Sequence, residues 1–142
     1  MVVVLQNHLT TKPEALPIKP CEDSFAKALQ GMGIDQDAIN TMVIIIEVRR
    51  MIPKGIYGGR NKNTFRIIVD DHIAFSDRSE LNKTIAHELK HLAIAVLKPH
   101  PLENCNCVDG FYFGKWKYKR EELHCKRAED SWGDLEFFTY DS

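Results

Sequence analysis

The chain has 142 residues, 44% hydrophobic and 27% charged, with a net charge of −1. Those values are the ones expected of a single soluble globular domain long enough to hold a real core. The near-zero charge gives no electrostatic case for a nucleic-acid or membrane-surface partner, and no apolar run approaches the length of a membrane span.

Residues 1–23 are expected to be an extended N-terminal segment. Residues 1–9 fit a short strand, and residues 11–20, with three prolines, fit an extended connector. Met1-Val2-Val3-Val4-Leu5 is too short for a signal-peptide core and has no basic lead-in, so the expected compartment is cytoplasmic. In that reducing setting the four cysteines are expected as thiols or metal ligands rather than disulfides.

Residues 24–54 are expected to be helical. A short helix begins at Ser24-Phe25-Ala26 and ends near Gly31-Met32-Gly33. Asp35 or Asp37 caps a second helix running through Ile39, Met42, Val43, Ile46 and Met51 to Pro53. The β-branched run Val43-Ile44-Ile45-Ile46 leaves a strand open there, but length and flanking charges favour helix. Gly55, Gly58, Gly59 and Asn61 to Asn63 predict a turn-rich loop. Its Gly-x-x-Gly-Gly spelling has no following Lys-Ser/Thr to make a phosphate loop. Phe65 to Val69 reads as strand, and His72 to Phe75 as its continuation or a second short strand.

The segment that follows carries the chemistry. Asp77-Arg78-Ser79-Glu80 has the form of a capping box. Leu81, Ile85, Leu89, Leu92 and Val96 recur at helical spacing, and Pro99 closes the run. This predicts a helix over residues 78–97, central and buried because its second half is apolar nearly all round. Within it, residues 87–91 read His-Glu-Leu-Lys-His. Four residues apart, His87 and His91 share one helix face and can present two imidazoles to one ion. Glu88, rotated by about 100°, suits a base acting on a water bound to that ion better than it suits a third ligand. Such an order serves metal-assisted hydrolysis. Two imidazoles and a carboxylate favour zinc among common divalent ions.

Ile73-Ala74-Phe75-Ser76-Asp77, Leu81 and the run Thr84 to His91 resemble the zincin superfamily of HExxH metallopeptidases. The resemblance covers about residues 64–97 and, more loosely, 118–136. It is closest to small gluzincin-type families such as the ImmA/IrrE-type and SprT-like proteins. It implies a single-domain α+β zincin-like fold over residues 1–142, with a small sheet packed on the metal-binding helix. It also implies an edge strand beside that helix that takes substrate as an added strand. A metzincin pattern is rejected, because Ile94 and Leu97 stand where its Gly and His would fall, and His100 lies in a proline-flanked loop.

A gluzincin takes its third ligand from a later helix, and Lys119 to Trp132 predicts one. Cys125, Ala128, Trp132 and Leu135 fall near multiples of 3.6 residues after Glu121, putting Glu121 near the centre of the buried stripe. Glu121 is therefore the expected third ligand, with Glu122 and Glu129 as reserves and His124 outside them. Cys105, Cys107, His124 and Cys125 form a second constellation, with ordinary thiols as its alternative. Phe111 to Trp116 reads as strand or lid, and Tyr112 or Tyr118 is a candidate oxyanion donor.

The expected protein is a zinc metallopeptidase in which His87, His91 and Glu121 hold Zn2+ and Glu88 is the general base. Its partner is a peptide or protein substrate, extended along the strand near Ile73. One rival is a non-catalytic metal-binding protein that acts as an interaction or regulatory module. Another, implied by the ImmA/IrrE resemblance, is a protease dedicated to one transcription factor.

Overall fold

A computed structural model describes residues 1–8, 18–50, 55–97 and 129–140. The fold is α+β, with a small mixed sheet and several helices. The elements run β1 (Val2–Asn7), β2 (Ile18–Pro20), α1 (Glu22–Gly31), α2 (Gln36–Asn40), β3 (Val43–Arg49), β4 (Gly55–Asn61) and β5 (Thr64–Asp70). They continue with α3 (Asp71–Ser76), α4 (Arg78–Leu97) and β6 (Phe138–Tyr140). The main sheet has the order β1-β3-β5-β4. β1, β3 and β5 are parallel, with Val4 opposite Ile45 and Ile45 opposite Arg66. β4 is antiparallel to β5 and closes that side of the described sheet. β2 and β6 make a separate antiparallel pair.

One face of the sheet carries Val3, Ile44, Ile46, Val48, Phe65, Ile67 and Val69, all buried. α1 covers it with Phe25, Ala28 and Leu29, and α4 with Leu81, Ile85, Leu89 and Leu92. Phe25 also meets Phe137 and Phe138 edge-on, with ring centroids 5.0 and 6.0 Å apart, a favoured aromatic geometry. The other face is more open, with Val2 and Val4 exposed. There Glu47 is buried under charged neighbours. Its Oε1 accepts from Arg49 Nη2 at 2.6 Å, its Oε2 from Arg66 Nε at 2.5 Å, and His8 Nε2 lies 3.2 Å away.

The helix expected over residues 78–97 is α4, and Asp77 caps it as the sequence predicts. Asp77 Oδ1 accepts from the Glu80 backbone N–H at 3.0 Å, satisfying one of the orphan donors of the first turn. β1, α1 and β5 also lie where expected. No helix among the described residues is long and apolar enough to cross a membrane.

Three expectations are corrected. Residues 35–53 are not one helix: α2 ends at Asn40, and Val43–Arg49 is the central strand β3. A strand buried between two parallel neighbours reads as a continuous apolar run, which periodicity does not separate from a buried helix. The glycine-rich stretch 55–63 is not a loop, since β4 fills it and only residues 62–63 turn. Pairing with β5 satisfies its backbone, and Gly59 (φ 102°) takes the register shift after Tyr57, in a conformation that costs glycine little. His72 to Phe75 is helix α3, not strand, so Ile73 does not stand on the strand expected there. The register of β3 against β5 ends at Arg49–Asp70, and among the described residues the chain beyond Asp70 has no ladder partner to hold it extended.

Candidate metal centre

α4 brings His87, Glu88 and His91 together as the sequence predicts. All three are buried, Glu88 completely. Their ligand atoms lie within 4.8 Å of one another. The two imidazole centroids are 5.0 Å apart with a 50° interplanar angle, and Glu88 Oε1 is 3.8 Å from His87 Nε2. One turn of helix produces this grouping without help from the rest of the fold.

β4 covers the same stretch of α4. A Cβ placed on Gly55 would stand 2.7 Å from Thr84 Cγ2 and 3.5 Å from Glu88 Cγ. Glycine at 55 is what lets the strand backbone pass this close to Glu88. The strand that borders the site is thus β4, and the segment around Ile73 that the sequence suggested for this role is helical.

A fourth group reaches the centre from the C-terminal segment. His87 Nδ1 and Glu129 Oε1 are 2.9 Å apart. Residues 129–132 are helical, and Gly133 N donates to Glu129 O at 2.8 Å. Trp132 lies against Gly31 of α1. The segment is then tied to α4 by Asn82, whose Oδ1 accepts from Phe137 N at 3.2 Å and whose Nδ2 donates to Glu136 Oε2 at 3.4 Å. Sequence reasoning missed Asn82. Its signal was a polar, poor helix former inside an apolar helical run, which calls for a side-chain partner.

Of the expected third ligands, only the reserve Glu129 is among the described residues, and it is brought to His87. Glu121, Glu122 and His124 lie outside them, as do Cys105, Cys107, Cys125, His100, Tyr112, Tyr118 and Phe111 to Trp116.

No family model, no curated protein and no solved structure matches the chain.

The chemistry of these side chains is of a kind that could hold a metal ion. His87 and His91 offer two imidazoles, ligands that zinc takes, and the Glu88 carboxylate stands beside them in the same buried stretch of helix. Such a set is costly to bury unless it is hydrogen-bonded or holds an ion.

Proposed function

We propose that the protein is a zinc-dependent metallopeptidase of zincin-like fold. The observation that carries this reading is the buried grouping of His87, Glu88 and His91 on α4. His87 and His91 would hold the ion. Glu121 remains the proposed third ligand, and Glu129 takes another role. Bound there, zinc would supply Lewis acidity, polarising the scissile carbonyl and lowering the pKa of a water toward about 7.

The chain's own groups do the rest. Glu88 lies close enough to the imidazoles to accept the proton of an attacking water and to return it to the leaving amine. Its complete burial keeps bulk water from competing for that proton. Among the described residues β4 is the last strand of the sheet order on its side, and its backbone passes beside Glu88 at Gly55. This supports a peptide substrate bound extended along β4 by main-chain hydrogen bonds.

The test is metal analysis joined to mutation. The full chain is expected to carry about one zinc, on the reading that one such centre holds one ion. His87→Ala with His91→Ala should abolish binding. Full zinc content in that double variant would sink the proposal. Metal binding with no cleavage of any peptide or protein in a broad substrate screen would favour the non-catalytic reading instead.

A further inference from the structure

We infer that Glu129 is a positioning residue that acts through His87 and is not itself a metal ligand. The inference rests on the metal-centre reading above and assigns a residue to that site.

The two nitrogens of His87 face different neighbours. Nε2 faces Glu88, with Oε1 at 3.8 Å, while Nδ1 meets Glu129 Oε1 at 2.9 Å. In-plane lone pairs on the two nitrogens of an imidazole diverge, so a carboxylate bound at Nδ1 stands on the far side of the ring from an ion at Nε2. A carboxylate at Nδ1 holds the ring proton there and leaves Nε2 as the lone-pair donor. It also fixes the plane of the ring and raises the basicity of Nε2. Burial agrees with this division. The His87 side chain is 6% exposed and Glu129 is 35% exposed, so Glu129 sits at the rim of the buried grouping.

The fold aims Glu129 deliberately at this ring edge. The C-terminal segment runs along α4, with Glu136 and Phe137 at Asn82, Gly133 beside Lys83, and Glu129 at His87. Asn82 and the Trp132–Gly31 contact hold that register. Glu129 is thereby delivered from a segment 42 residues away in sequence.

The experiment measures Zn2+ affinity by competition with a chromophoric chelator, using the full chain, Glu129→Ala and Glu129→Gln. Co2+ absorption spectra of the same proteins report the coordination sphere. Glu129→Ala is expected to weaken Zn2+ binding about 10–100-fold, the range for loss of an outer partner of a ligating histidine. Glu129→Gln, which still offers an acceptor oxygen to Nδ1–H, should recover most of that loss. Co2+ band positions should not move in either variant, and the metal-free melting temperature should stay near that of the parent. Unchanged affinity in Glu129→Ala would overturn the assignment. Equal, larger losses in both variants with shifted Co2+ bands would also overturn it, making Glu129 a ligand. A parent chain that binds no Zn2+ would bring down the metal-centre reading itself, a result distinct from either.

Discussion

Two regions of the molecule each bury a glutamate, and they do it differently. Glu47, on the open face of the sheet, is surrounded by the chain's own cations, Arg49 and Arg66, with His8 beside them. Glu88, on α4 where β4 passes, lies beside two imidazoles, with the ligand atoms of all three side chains within 4.8 Å of one another. A guanidinium answers a carboxylate with fixed charge and fixed geometry, since it does not give up its proton in proteins. Imidazoles do not, because they are neutral ligands or acids depending on what else is present. The first arrangement is complete as a piece of structure. The second brings together groups that could hold an ion, which is what the proposed function uses.

The contrast is sharpest under the same substitution at both places. Glu88→Gln should keep the fold and the bound zinc but lower hydrolysis by about 10²–10⁴-fold, the range for removing a general acid–base group. Glu47→Gln should leave hydrolysis unchanged. Assays of both variants against one cleaved substrate check this, and equal losses would erase the distinction between the two regions. Removing the metal comes next in size. A chelator should lower the melting temperature by withdrawing linkage stabilisation of about 2.7 kcal/mol when zinc had stood at 100 times its Kd. Hydrogen exchange should rise around residues 84–91 and stay unchanged in β1 and β3. A uniform rise would mean that the centre is not a local feature of α4.

How legible these regions were in the sequence follows from how local their causes are. α4 was legible end to end, because a cap at Asp77, apolar residues at helical spacing and the His-Glu-x-x-His run are all set within a few turns. Its three candidate site residues, His87, Glu88 and His91, came with it. β4 was misread as a loop, since Gly55, Gly58 and Gly59 have no strand propensity of their own. Pairing with β5 decides the matter, and that pairing is not written in the local sequence. β3 is hard to read for the opposite reason: its first four residues, Val43 to Ile46, are apolar on both faces, so that run carries no period to read. α3 is not legible because His72 to Phe75 are four residues, too few for a periodicity to register. Asn82 and Glu129 show a third kind of limit. Their roles depend on a segment that returns to α4 from 42 to 55 residues away, and no window of sequence contains both ends.

That returning segment offers a test of intermediate size. Asn82→Ala would leave the buried Phe137 N–H without its acceptor, at a cost of about 1–3 kcal/mol. Because the same contact sets where Glu129 meets His87, the variant should also bind Zn2+ more weakly than its loss of stability alone explains. Urea melts with and without metal separate the two effects. If stability falls while the affinity of the folded protein is untouched, the segment supports the fold and not the centre.

The smallest effect belongs to Glu47, and its sign with pH is fixed. Burial pushes the carboxyl up, but hydrogen bonds and charge from Arg66 and Arg49 outweigh that, and its pKa lies below the ordinary 4.5. A group depressed in the folded state contributes stability that is fully present above its unfolded pKa. That contribution fades as pH falls below 4.5 and through the folded value. Arg49 and Arg66 are 43% and 46% exposed, so solvent screens both pairs, and Glu47→Gln should cost only about 1 kcal/mol at pH 7. In chelator, where the centre contributes nothing, the gap between parent and variant urea midpoints should be constant from pH 7 to about 5 and then close toward pH 3. A gap that persists unchanged to pH 3 would show that the carboxylate's charge is not what the arginines hold. The two buried glutamates would then differ in their neighbours but not in the reason for their burial.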